Sequence, residues 1–479
     1  MGFSVMNTRL KLLIAVLTLM TAHLVASASP IGGLDQRGMA MLGIALLALV
    51  YWSTECVPIP VTGLIVMLLL TLYGIFPFSK SVSFIASKVN ILIIAGLVIS
   101  AALSTHKLDK LLGLKVLSLV GVRVHMVVLG MMLATALISM LMSNTAAAAL
   151  MAPVAVSILS MVGAKSGESN LGKALMIGIA YAATIGGIGT PVGTPPVPIT
   201  IGNIESSLGI RISFVKWMIW GVPIVLALTL TAWRVLLLLY PPEREVKTVS
   251  REAIERELRS MGPLTLAQKR TIALMALAVI LWLIEPLAVL LLSGQQWVLD
   301  WTYVVSLLVI MLFFMPGIGV LEAKQISELD WGVVFLVAGG LALGEGLRET
   351  GILKLIADSL KSPLQAYPPS LVSVIIAAIS VLGITVICSI TATSATMVPL
   401  AISVAKTLGM DPRTSAVVAV AAGLASCYAF LLPANTPPNA ITYSYGYFKS
   451  YEMAKAGVIV ILAGIALIIV IMPLVSLLI

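Results

Sequence analysis

The sequence predicts an all-α polytopic membrane protein of about eleven transmembrane helices plus two re-entrant hairpins, arranged as two inverted-topology repeats. Three observations predict it. Of 479 residues, 60% are apolar and only 10% charged, with a mean hydropathy of +1.11, whereas a soluble domain carries about a quarter charged residues. Apolar runs near bilayer length, roughly 20 residues as helix, alternate with short charged loops. Patterns in the first half return in the same order in the second. A soluble enzyme, a disordered regulator and a nucleic-acid binder are excluded on these grounds.

The first span falls near 11–29. Arg9, Lys11, an apolar core and the small-residue end Ala26-Ser27-Ala28 imitate a secretory signal peptide. The core is long for a signal, so a retained span is expected. Further spans fall near 38–54, 60–77, 91–104, 174–212 (interrupted), 215–240, 271–293, 301–316, 332–347, 412–446 (interrupted) and 455–478. Regions 126–162 and 371–405 are apolar with a polar kink at their centre, which suits two hairpins, although two short full spans also fit. The expected organisation is an N-terminal span and loop (1–37), a first repeat (38–240), a polar linker (241–270) and a second repeat (271–479).

The linker holds Glu243, Arg244, Glu245, Lys247, Arg251, Glu252, Glu255, Arg256, Glu257 and Arg259, and interleaved signs suit an exposed helix and connector. Threading the spans puts Arg9 and Lys11, the stretch from Lys107 to Arg123 and the linker on one side. The positive-inside rule makes that side cytoplasmic and accounts for the net charge of +9 without nucleic acid. Cys56, Cys388 and Cys427 lie in apolar runs, and His23, His106 and His125 are scattered. Neither set has metal-ligand spacing.

The internal echoes are specific. "ALLALVYWSTECVP" (45–58) matches "ALAVILWLIEPLAV" (276–289), aligning Trp52 with Trp282 and Glu55 with Glu285. "MSNTAAAALMAP" (142–153) matches "CSITATSATMVP" (388–399), aligning Ser143 with Ser389. "PVGTPPVPI" (191–199) matches "PANTPPNAI" (433–441), aligning Thr194 with Thr436. Each half holds an odd number of spans, so the copies run oppositely through the bilayer. That is a signature of secondary transporters, which bind substrate near the midplane where the repeats meet.

The chemistry then centres on two tips and two breaks. Ser143-Asn144-Thr145 and Ser389-Ile390-Thr391 interrupt stretches with no charge between His125 and Lys165 or between Lys361 and Lys406. Non-helical backbone at membrane depth is tolerated only inside protein or beside a water-filled cavity. A helix leaving such a tip presents free N–H groups and a positive dipole end, which is an anion site. A capping role for the hydroxyls is the plain alternative, and matched tips argue against it alone. The segment from Gly186 to Pro196 and that from Pro433 to Asn439 break their helices through proline and glycine. Unwound backbone frees the carbonyl oxygens that sodium prefers. Glu55 and Glu285 lie near proline at span ends, so orienting a helix is favoured over proton coupling. Gly339, Gly340 and Gly344 permit close helix packing.

These residues resemble the divalent anion:sodium symporter family, the sodium-coupled di- and tricarboxylate carriers. The Ser-Asn-Thr tip, its counterpart, both Thr-Pro-Pro breaks, "TECVPIPVT" (54–62) and "DWGVVFLVAGGLALGEGL" (330–347) carry the resemblance from about residue 38 onward. It implies a homodimer with a scaffold domain and a transport domain that moves like an elevator. It also implies one sodium site from Ser139, Ser143, Asn144 and the backbone near Gly193. The other would use Thr385, Cys388, the Ile390 position and the backbone near Asn435. Substrate carboxylates would meet Asn144, Thr145 and Thr391, flanked by Thr194-Pro195 and Thr436-Pro437. Sodium and helix ends, with no arginine and no organic cofactor, would balance the charge. One departure stands out: the family usually has Asn where this chain has Ile390. Asn435 then offers an amide in its place, and loss of the site would mean fewer sodium ions, proton coupling or exchange.

The expected function is sodium-coupled uptake of divalent organic anions, C4-dicarboxylates such as succinate, malate and fumarate, across the plasma membrane. The alternative is a proton-coupled or exchange-type carrier of di- or tricarboxylates or sulfate on the same fold. An intramembrane hydrolase would need a nucleophile near a base, and no histidine falls in either motif. An open channel fits poorly with paired occluding hairpins.

Overall fold

The structure, a computed structural model, describes residues 7–120, 123–243, 258–292 and 294–479. Residues 244–257, just under half of the expected polar linker, lie outside that description. After α1 (Thr8–Ser27) the first repeat runs α2 (Gln36–Thr54), α3 (Ile59–Leu72), α4 (Phe78–Ser83), α5 (Lys88–Thr105), α6 (Leu108–Val120), α7 (Val124–Ser139), α8 (Asn144–Met161), α9 (Asn170–Gly187), α10 (Pro196–Leu208) and α11 (Phe214–Leu239). The second runs α12 (Leu266–Leu283), α13 (Glu285–Leu291), α14 (Trp301–Phe314), α15 (Ala323–Glu328), α16 (Trp331–Glu349), α17 (Ile352–Leu364), α18 (Pro369–Ile387), α19 (Ile390–Thr407), α20 (Pro412–Ala425), α21 (Pro437–Ser444) and α22 (Ser450–Leu478). Apart from α13, the two orders correspond element by element.

Among the described residues, 10 helices are long and apolar enough to cross a membrane. Two of them, Asn144–Met161 and Pro369–Ile387, are arms of the expected hairpins. The others match expected spans. The spans expected at 60–77, 174–212 and 412–446 are absent from that set; α3 has only 14 residues, and the other two are broken, each into two helices of 18 residues or fewer. Helix α1 packs along α2, where the buried Tyr51 donates its hydroxyl to the Ala15 carbonyl at 2.8 Å.

The halves interlock by exchange. Helix α3 packs on α16 of the other repeat, and α14 packs reciprocally on α5. Helix α10 packs on α19 and α20, while α21 packs on α8 and α9. Their apolar side chains separate accordingly. One large core joins α7–α11 to α17–α22. Two smaller cores join α2 and α3 to α16, and α5 to α12 and α14. Trp52 and Trp282, aligned by the repeat, are both buried in the smaller cores.

Four helices were not anticipated, the six-residue α4 and α15 and the longer α6 and α17. α6 joins α5 to α7, and α17 joins α16 to α18. Both α6 and α17 follow a residue in left-handed conformation, Lys107 (φ 55°) and Gly351 (φ 78°), which turns the chain sharply out of the preceding helix. They are short and carry charges, so an apolar-run criterion passes over them. α17 buries Ile352, Leu353, Ala357 and Leu364 while Lys354, Asp358 and Lys361 leave its other face polar. That is the helical period such a criterion ignores.

Candidate functional site

Both tips form as tight turns between two packed arms. Ser143 caps α8 by accepting the Ala146 N–H at 3.3 Å, and Ser389 caps α19 by accepting the Ala392 N–H at 3.3 Å. The capping role is therefore present at both positions. It leaves the N–H groups of Asn144 and Thr145, and of Ile390 and Thr391, without intrahelical partners, each at the positive end of its helix. The second tip is shorter because Cys388 turns the chain in left-handed conformation (φ 54°).

The first break presses oxygen atoms against the first tip. The Ser139 hydroxyl, fully buried, lies 2.6 Å from the Ala183 carbonyl and 2.9 Å from Asn144 Oδ1. Asn144, 7% exposed, donates from Nδ2 to Thr194 Oγ1 at 3.3 Å. Glycine makes this approach possible. A Cβ on Gly193 would lie 2.5 Å from the Gly187 carbonyl oxygen and 2.9 Å from that of Ser139. One on Gly187 would lie 2.3 Å from Asn144 Oδ1. The result is a cradle of neutral hard oxygens, suited to an alkali cation and holding no charged side chain.

The second break is longer than expected. Helix α20 ends at Ala425 and α21 begins at Pro437, so unwinding starts well before Pro433. The apolar residues Tyr428 to Leu432 contain no helix breaker, which hid it. Their freed carbonyls are taken by side chains instead. Asn439 Nδ2 donates to Ala429 at 2.8 Å and to Leu432 at 2.9 Å, and the Tyr181 hydroxyl donates to Phe430 at 2.9 Å. Asn439 and Tyr181 were missed as site-supporting residues. Asn439 sits three residues past Thr436, which was the available signal.

Asn435 is 1% exposed and donates from Nδ2 to the Ile384 carbonyl at 3.2 Å and to Cys388 Sγ at 3.7 Å. Its Oδ1 accepts the Leu432 N–H at 2.9 Å. Thr385 is half-buried and donates to Val381 at 3.0 Å within its own helix. Thr391 and Thr436 are buried, and the Thr436 hydroxyl has no partner. Thr145 and Pro437 are exposed and Pro195 is half-buried. Direct contacts thus join Ser139, Asn144, Thr194 and Gly193 on one side, and Thr385, Cys388 and Asn435 on the other, the Cys388 thiol reaching the Thr385 carbonyl at 3.5 Å. No such contact gathers Thr145, Thr391, Thr436, Pro195 and Pro437.

The acidic residues take structural places. Glu55 ends α2 in left-handed conformation (φ 50°), and Glu285 accepts the Thr302 hydroxyl at 2.7 Å. Among the described residues no three His, Cys, Asp or Glu are grouped to hold a metal.

Two repeats that interlock and close on paired tips and breaks define a polytopic membrane carrier. The sequence matches the sodium:sulfate symporter transmembrane region over residues 7–478. The chain belongs to that family, the divalent anion:sodium symporters, and is a multi-pass membrane transporter rather than an enzyme. It is 31% identical over 451 residues to a sodium-dependent dicarboxylate transporter, SdcS, of Staphylococcus saprophyticus, covering 91% of this chain and 86% of that one. A Staphylococcus aureus SdcS is 32% identical over 440 residues, covering 88% and 83%. In fold it is similar to the YdaH transporter of Alcanivorax borkumensis, with a TM-score of 0.55, 14% identity and 98% coverage of both chains.

Proposed function

We propose that this protein is a sodium-coupled secondary transporter for divalent organic anions, with C4-dicarboxylates such as succinate, malate and fumarate as its substrates. The observation that carries the reading is the oxygen cradle of Ser139, Asn144 and the Gly187–Gly193 backbone directly behind the free N–H groups of Asn144 and Thr145. A cation held there adds its charge to a helix dipole end, so a carboxylate is attracted from its far side. The two staphylococcal relatives, named as sodium-dependent dicarboxylate transporters, support sodium and dicarboxylate as the pair.

In this reading Ser139, Ser143, Asn144 and the Gly193 backbone hold sodium. Asn144, Thr145 and Thr391 face the carboxylates, with Thr194-Pro195 and Thr436-Pro437 forming the walls. The large core carries the tips and breaks and moves against the two smaller cores as an elevator, and two chains pair as a homodimer. The large core supports such a division, and the buried apolar residues that cross it include Ile387 and Ala392 beside the second tip, packed with α2, α3 and α16, and Ile199 of α10, packed with Val89, Ile93 and Val337.

Labelled succinate uptake into liposomes, with and without an inward sodium gradient, tests this. Sodium-driven accumulation is expected. Absence of uptake for succinate, malate, fumarate, citrate and sulfate would remove the substrate assignment. Gradient-independent counterflow would replace symport by exchange.

A further inference from the structure

We infer that this chain holds one sodium site and not a matched pair, because the Asn435 carboxamide takes the place of the second ion. The inference rests on the sodium-coupled reading above and concerns only its stoichiometry.

The repeat supplies the comparison. Ser143 aligns with Ser389 and Thr194 with Thr436, so Asn144 corresponds to Ile390 and Gly193 to Asn435. At Gly193 even a single added carbon would strike two carbonyl oxygens, and that closeness keeps the first cradle open for a cation. At the corresponding place in the second half the backbone carries a complete carboxamide, buried to 1% exposure.

Its orientation decides the chemistry. Nδ2 points at the Ile384 carbonyl and the Cys388 sulfur, so two N–H donors occupy lone pairs that a cation would have to use. Oδ1 is turned the other way and accepts the Leu432 N–H. The remaining candidates do not compensate. Ile390 lacks the oxygen that Asn144 contributes, and Cys388 offers a soft sulfur to a hard ion. The Thr385 hydroxyl donates back to its own helix at 3.0 Å. The amide has both donors engaged and its oxygen turned to the Leu432 N–H, so hydrogen bonds close the second tip in place of an ion.

Charge follows from the count. One sodium with a dicarboxylate dianion leaves the loaded carrier one negative charge beyond its empty form. An inside-negative potential then opposes uptake, by about fiftyfold in the attainable gradient for one charge at about 100 mV.

The test counts bound ions on the full-length protein without substrate, using radioactive sodium on purified carrier, together with sodium titration of thermal stability. One ion per chain and a titration without sigmoidal curvature are expected for the natural sequence. The paired substitution Ile390→Asn with Asn435→Gly is expected to bind a second ion, and in liposomes to lose the inhibition by an inside-negative potential. Two ions bound by the natural sequence would overturn the inference while leaving sodium coupling intact. No bound sodium would overturn the coupling itself and this count with it. Because the natural chain alone gives the decisive number, misfolding of the variant does not obscure the answer.

Discussion

The Ser394 hydroxyl donates to the carbonyl of Pro196 at 3.3 Å, placing a side chain of the second hairpin on the first residue of α10, directly after the first break. Thr194, two residues earlier, meets Asn144 of the first hairpin. The first break is therefore held between both hairpins, and a displacement of either one is felt at the oxygen cradle.

Asn144→Ala and Thr145→Ala separate the two ligands. Asn144 removal deprives the cradle of Oδ1 and leaves Thr194 without its donor. The sodium concentration for half-maximal uptake is expected to rise about 10- to 100-fold, the range for a hydrogen-bonding group that meets a charge. Thr145→Ala is expected to raise KM for succinate, with the sodium requirement changed less. Initial-rate uptake over a matrix of both concentrations checks this. Natural kinetics in both variants would reduce the tip to a helix cap.

Gly193→Ala introduces a carbon 2.5 Å from the Gly187 carbonyl oxygen. The backbone must shift, at a cost of about 1–3 kcal/mol in stability. Sodium-dependent thermal stabilisation is expected to disappear while the protein still inserts. Retained stabilisation would show that the oxygens around Gly193 are not the ion's ligands.

Gly340 and Gly344 face the return arm of the second hairpin. A Cβ on Gly340 would lie 2.7 Å from the Ala395 Cβ, and one on Gly344 would lie 3.0 Å from Pro399 Cγ. If the hairpin slides along α16, Gly340→Leu is expected to slow uptake about tenfold or more while sodium binding is retained, since about 1.4 kcal/mol in a barrier suffices. Equal loss of binding and transport would indicate a packing defect instead.

Glu205 on α10 meets Lys88 of α5 at 3.3 Å and accepts the Tyr303 hydroxyl of α14 at 3.0 Å, while Lys88 also meets Asp300 at 2.6 Å. This polar cluster ties the bundle of tips and breaks to its neighbours. Glu205 is partly buried, but Lys88 is half exposed and screened by water, and glutamine keeps an acceptor for Tyr303, so Glu205→Gln is expected to cost no more than about 1 kcal/mol in thermal stability. Maximal uptake rate is expected to change by up to about fivefold, with the difference shrinking at high salt. An unchanged rate at every ionic strength would remove the cluster from the transport cycle.

Most of the helices could be read from composition, because an apolar run of bilayer length has few alternatives. The tips were equally plain, since Ser143-Asn144-Thr145 is polar within a long uncharged stretch. The linking helices α6 and α17 were not, being short and mixed in character. Nor was the start of the second break, where Tyr428 to Leu432 are as apolar as any helix and leave it because Asn439 and Tyr181 receive their carbonyls.

Local chemistry in the chain was enough to set its class, its duplication and the places where helices stop, because hydropathy, proline and glycine act over a few neighbouring residues. Which atoms meet at those stops was settled by packing. Asn144 reaches Thr194 across 50 positions, and Asn435 reaches Ile384 across 51. The same kind of amide side chain joins an oxygen cradle in one repeat and hydrogen-bonds across the equivalent tip in the other. That difference depends on whether Gly193 or Asn435 faces the tip, and only the interlocked helices bring them there.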